Sequence, residues 1–154
     1  MKVRMILFVL ALSFVAAALC VAADDAFMGT WKLNEAKSKL TAGAGKNTMV
    51  VYAADGDNVK ITVDGVDGKG APAHNEWTGK FDGKDYAVTG DPTADMRSYK
   101  MEKGKLELWN KKDGKVVMNG TVEVSKDGKT RTVTVHSMDD KGKKVTSTAV
   151  YDKQ

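Results

Sequence analysis

His74 and His136 are the only histidines of this 154-residue chain, and Cys20 is its only cysteine. His74 and Glu76 are spaced as next-but-one residues, which puts both side chains on one face of an extended strand. That pairing suits a metal ligand set, with Asp85 and His136 as further candidates. A metal site needs three or four groups converging on one point. The spacing of these four residues supplies no such set, so neither a metal nor another cofactor is expected. No glycine loop opens a helix, and no nucleophile elbow is present. Most carboxylates sit in Asp-Gly turns, where they serve turn geometry. No catalytic constellation results, and the chain is not expected to be an enzyme. An isomerase or hydrolase working inside a barrel is the least favoured alternative.

Charge and aromatic residues offer a different chemistry. Beyond residue 23 the only arginines are Arg97 and Arg131. Strand alternation puts Arg131 on the same face as Val133 and Val135, where it either contacts an anion or pairs with an aspartate at a strand end. Trp77, Phe81, Tyr99, Met118 and Tyr151 can line a small-molecule pocket or fill a core. Together with Arg97 and Arg131 they are the candidate ligand-binding residues. Trp31, beside Gly29, is expected to seal one end of the fold rather than to touch ligand.

The elements that would position these residues begin after a leader. Lys2 and Arg4 precede an apolar run over residues 5–19, and Val21-Ala22-Ala23 offers a small-residue cleavage site. This reads as a signal peptide over residues 1–23, with a domain over 24–154. The run is shorter than the ~20 residues of a spanning helix, so no membrane span is expected after leader removal. Leu19 is bulky for the residue before a lipidated cysteine, which disfavours attachment at Cys20. Export to the periplasm or outside the cell is therefore expected, without disulfides or thiol chemistry. The leader holds two of the 24 basic residues and none of the 20 acidic ones, leaving a balance of +2. With few arginines and no polybasic run, no nucleic-acid partner is expected. Asn119-Gly120-Thr121 is a glycosylation sequon, of consequence only in a eukaryotic secretory pathway.

Residues 27–33 read as a first strand, and Asn34 can cap a helical turn over 35–40. From residue 46 the pattern is one of short alternating segments rich in Val, Thr and aromatics. They fall at 46–54, 58–64, 73–81, 84–88, 95–102, 105–111, 115–125, 130–138 and 143–152. In the segment 115–125, Val116, Met118, Val122 and Val124 are expected on one face. Asp-Gly or Lys-Gly pairs punctuate the gaps, and Asp-Gly predicts type I′ hairpins. Consecutive hairpins make a meander, which closes on itself to hide its edges. The expected fold is all-β: a single up-and-down antiparallel barrel of about 8–10 strands, with a short helical turn after the first. A Greek-key sandwich would need long crossings, for which only residues 34–45 and 89–94 are available.

Residues 27–33, Phe-Met-Gly-Thr-Trp-Lys-Leu, resemble the Gly-x-Trp start of the calycins, that is, the lipocalins and the intracellular fatty-acid-binding proteins. The tail, Val-Tyr-Asp-Lys at 150–153, resembles the closing strand of the fatty-acid-binding branch. The whole is similar to small exported bacterial lipocalin-like proteins. The resemblance implies a barrel over about residues 27–153. It also implies where a carboxylate clamp would sit, namely on an Arg-x-Tyr pair in the last strand. Tyr151 matches the Tyr, but Ala149 occupies the Arg position, and neither Thr121 nor Glu123 supplies a second Arg. The two-helix lid is missing as well. Fatty-acid binding is therefore not carried over.

These observations lead to an expected monomeric, exported binding module for a small hydrophobic, largely apolar and uncharged ligand. Its cavity would be lined by Trp77, Met118 and Tyr151. The alternative is a filled-barrel structural or interaction protein of the cell envelope.

Overall fold

The computed structural model describes residues 25–139 and 141–154; the expected leader lies outside them. Ten strands form one closed antiparallel barrel in which each strand pairs with its sequence neighbours and the first pairs with the last. They are β1 (Gly29–Leu33), β2 (Lys46–Asp55), β3 (Asn58–Val66), β4 (Pro72–Gly79), β5 (Tyr86–Thr89), β6 (Met96–Glu102), β7 (Lys105–Lys112), β8 (Lys115–Val124), β9 (Thr130–Met138) and β10 (Lys144–Lys153). The consecutive order rules out a Greek key. Among the described residues no helix is long and apolar enough to cross a membrane.

Alternation decides which side chains face inward. On β3, Ile61 and Val63 are buried while Lys60, Thr62 and Asp64 are not. The same period puts Tyr52 and Val50 of β2, Trp77 of β4, Tyr99 of β6, Leu106 and Leu108 of β7, Val122 of β8 and Tyr151 of β10 in one core cluster. The alternation of β8 breaks at a bulge. Asn110 pairs with Met118 but Lys111 with Val116, so Val117 is one residue too many for the ladder. Val116 is therefore not inward with Met118, as simple alternation predicts. It is 52 % exposed, beside Val117 at 39 %.

Turn chemistry departs from expectation in a similar way. Among the Asp-Gly turns, only Asp113-Gly114 has positive φ at both residues, a condition it shares with Lys103-Gly104. At Asp67 and Asp127, and at Asp139 ahead of Lys141-Gly142, an aspartate acts through its side chain instead. Asp67 Oδ1 accepts from the N–H groups of Lys69 and Ala71, Asp127 Oδ1 from Lys129, and Asp139 Oδ1 from Lys141 and Lys143. These Asx turns reverse the chain without the φ > 0 pair a type I′ turn demands. The helical turn after β1 is a single 3-10 turn (Glu35–Lys37), capped by the Asn34 side chain accepting from Lys37 N.

The two ends of the barrel differ. At one end Phe27 and Trp31 are buried, and the Trp31 indole donates to the Phe27 carbonyl at 2.8 Å. Lys153 lies over the Trp31 ring, 5.1 Å from its centroid. Gly29 makes room for it: φ is +108°, and a Cβ there would stand 3.2 Å from Lys153 Cε. The opposite end carries the connections 34–45, 67–71 and 90–95. There, Asn34 N donates to Val150 O, and Lys39 exchanges backbone hydrogen bonds with Thr148. The segment after β1 thus continues along β10.

Gly79 is a strict packing requirement. A Cβ on it would fall 2.6 Å from Tyr86 Cγ and 2.7 Å from Trp77 Cζ2. Both are ring atoms of a packed aromatic pair with little freedom to retreat. Gly79→Ala should lower the stability read from urea unfolding by about 1–3 kcal/mol. Thr78→Ala, on the exposed neighbour, should stay within about 0.5 kcal/mol of the native protein.

Candidate functional site

Two groups of side chains occupy the barrel interior, and each contains one arginine. The first lies around Arg131 at the start of β9. The ladder sets Arg131 directly opposite Tyr151 of β10. Its guanidinium carbon is 4.7 Å from the Tyr151 ring centroid and 5.0 Å from that of Tyr52. The side chain is held between two phenol faces, each contact contributing on the order of 0.5–2 kcal/mol. These contacts are to the tyrosine rings and supply no oxygen acceptor to the guanidinium N–H groups. Arg131 is only 4 % exposed, and its Nε and Nη1 are buried with no hydrogen-bond partner among the described residues. A buried cation with unmet donors is costly, because no carboxylate among the described residues repays its desolvation.

The tyrosines respond to the same enclosure. Burial raises the Tyr52 hydroxyl well above its ordinary value of 10.0; the Arg131 charge offsets part of this and Tyr99 adds to it. Burial likewise raises Tyr151, again with Arg131 pulling the other way. Both remain neutral phenols at physiological pH, able to donate as well as accept.

The second group surrounds Arg97 at the start of β6, where every guanidinium nitrogen has a partner. Nε donates to Asn110 Oδ1 at 2.8 Å, Nη1 to Asn75 Oδ1 at 3.0 Å and Nη2 to Asp91 Oδ2 at 3.0 Å. The Arg97 carbonyl accepts the Trp77 indole N–H at 2.9 Å. Arg97 is thus the ion-paired arginine that the sequence allows, and Arg131 is not.

The remaining candidates form an aromatic cluster. Trp77 stacks on Phe81 with 6.3 Å between centroids and meets Tyr99 edge-on at 4.9 Å. Phe81 also touches Tyr52 and Phe27 edge-on. Met118 packs against this core but is only partly buried, as are Val133, Val135 and Ala149. These four lie on the inward faces of β8, β9 and β10. Two clefts open on the outside. One, of about 570 Å³, is lined by Asp67, Pro72, Ala73, His74, Gly90, Asp91 and Pro92. The other, of about 470 Å³, lies over residues 32–36, Asp152 and Gln154. Neither is lined by Trp77, Met118 or Tyr151.

Tyr52, Asn75, Asn110 and Asp91 belong to these groups but do not stand out in the sequence. Tyr52 shares a face with Val50, and that alternation is the signal that points it inward. The asparagines carry no local signal, because only the ladder across β4, β6 and β7 brings them to Arg97. His74 is on the outer surface, its Nδ1 2.7 Å from Asp64 Oδ1 and its Nε2 3.9 Å from Glu76. His136 Nδ1 lies 2.9 Å from Thr146 Oγ1. Among the described residues no three His, Cys, Asp or Glu side chains gather as a metal site. No protein-family model and no curated protein matches the chain.

The two arginines should respond oppositely to removal. Arg97→Met strands Asp91, Asn75 and Asn110 and should cost about 3–5 kcal/mol in chemical denaturation. Arg131→Met removes unmet donors and should leave the ligand-free protein at least as stable as the native one. Equal losses at both positions would make Arg131 part of the scaffold. The tyrosines set the alkaline limit. A phenol whose folded value lies above its unfolded one stabilises the fold fully below the unfolded value of 10.0 and loses that contribution as pH rises through the folded value. Absorbance titration should find Tyr52 and Tyr151 ionising only as the protein unfolds.

Proposed function

We propose that the chain is a small-molecule-binding barrel whose ligand is largely apolar and presents one anionic or strongly accepting group to Arg131. The observation that carries this is the pair of buried, unpartnered N–H groups on Arg131 between Tyr52 and Tyr151. A carboxylate-like group would meet those donors with charge-assisted hydrogen bonds. The apolar remainder would lie against Met118, Val133, Val135 and Ala149, gaining about 25 cal/mol per Å² buried. The uncharged ligand expected from Ala149 gives way here to an acidic one. Arg131, one strand away and opposite Tyr151, offers the charge that Ala149 lacks.

The calycin resemblance is part of the same proposal. It is supported by a first strand carrying Gly29 and Trp31, by Lys153 over the Trp31 ring, and by closure of β1 on β10. Action as an exported monomer, in the periplasm or outside the cell, belongs to the same proposal, and the leader expected over residues 1–23 supports the export. A filled structural barrel is the second reading. It is favoured by the mutual packing of Trp77, Phe81 and Tyr99 and by the absence of Trp77, Met118 and Tyr151 from either cleft.

Native mass spectrometry of protein purified gently from its own host separates the two. The binding reading expects a copurifying acidic small molecule, and Arg131→Met should weaken its retention roughly tenfold or more. A bare mass from the native protein favours the filled barrel.

A further inference from the structure

The wall of the barrel is unevenly sewn. β9 and β10 share nine registered residue pairs. β5 joins β4 only through Glu76↔Thr89 and Trp77↔Val88, and joins β6 only through Tyr86↔Arg97 and Ala87↔Met96. A strand held by two pairs on each side is the part of the wall that separates at least cost. The larger outer cleft lies at the end of this strand, between the β3–β4 turn, His74 and residues 90–92.

Asp91 belongs to both sides of that wall. It lines the cleft, and its Oδ2 also reaches Arg97 within the barrel, the two side chains being 12 % and 8 % exposed. Its Oδ1 accepts from Thr93 N at 2.9 Å and from Thr93 Oγ1 at 2.7 Å, which holds the connection in one shape. Gly90 sits at φ +79°, and a Cβ there would collide with the His74 carbonyl oxygen. The connection therefore has one tight closed seating. Among the described residues Arg97–Asp91 is the one ion pair that involves residues 90–95, and it reaches into the interior.

We propose that this connection is the entrance to the barrel and that the Arg97–Asp91 pair is the latch that keeps it shut. The inference rests on the reading of the barrel as a binding module. The other routes are better closed. Phe27 and Trp31 plug the far end, and residues 34–39 are tied to β10 by Asn34–Val150, Lys39–Thr148 and Asn34–Asp152. Opening at β5 hydrates both members of a nearly dry ion pair. Water then repays part of the lost attraction, so the latch is firm and still reversible.

Asp91→Asn keeps the side-chain shape and removes the charge. The probe is 1-anilinonaphthalene-8-sulfonate, an apolar fluorophore with one anionic group. Stopped-flow mixing should show association and dissociation both accelerated roughly tenfold, with Kd little changed. In the absence of probe, hydrogen exchange should quicken most at Val88 and Asp95, whose amides donate to the Asp95 and Lys111 carbonyls, and should quicken far less along β9 and β10. If the native protein takes up no probe, the binding reading falls and the entrance with it. If the probe binds but the substitution alters neither its rates nor exchange at Val88 and Asp95, the latch alone is overturned. A rise in exchange through β9 and β10 as large as that at Val88 and Asp95 would also overturn it, by making the pair a general stabiliser alone.

Discussion

Everything in this barrel depends on the meeting of β1 with β10. Strands that pair only with their sequence neighbours make a ribbon with two open edges, and open edges invite association. Here they are joined by the ladder Trp31↔Lys153, Lys32↔Asp152 and Leu33↔Tyr151, and by the bridge from Lys39 to Thr148. Side chains reinforce the seam: Asn34 Nδ2 donates to Asp152 at 2.6 Å, and Lys37 reaches the same carboxylate. Both contacts hold Asp152 below the usual carboxylate range, with Asn34 the larger influence. The pair is exposed, so its role is alignment more than stability. Trp31 is the one side chain that is at once wholly buried, hydrogen-bonded to Phe27 and covered by Lys153 from the opposite strand. The seam and the plug are one construction.

The interior then sets two identical charges in opposed conditions. Arg97 has a carboxylate and two amide oxygens, and its cost of burial is met within the chain. Arg131 has two aromatic faces and unmet donors. A barrel selected only for packing would fill that position with Met or Leu at no loss. The proposed binding role of Arg131 rests on this contrast, since Arg97 shows how the same fold satisfies a buried guanidinium within the chain.

Most of the architecture is legible in the sequence because alternation and turn residues are local. Val59, Ile61 and Val63 declare their face within six residues, and Gly114 declares its turn within two. Three things are not local. The bulge at Val117 depends on how β8 fits β7, so Val116 reads as inward until the ladder is known. The Asx turns at Asp67 and Asp127 share the Asp-Gly spelling of a type I′ hairpin, and only side-chain hydrogen bonds distinguish them. The company each arginine keeps depends on residues far along the chain: Asn75 lies 22 positions from Arg97. Arg131 reads as inward from its strand alone. That it lacks a partner there is a property of the assembled interior.

The β1–β10 seam also constrains the order of events in making the protein. Asn34 and Asp152 are 118 positions apart, and contacts of that separation form late because a long loop must first be closed. During synthesis β1 has one partner available, β2, and nothing for its other edge until β10 has emerged. The growing chain is an open ribbon throughout, with Trp31 uncovered. The barrel wall is thus complete only once its first and last strands meet.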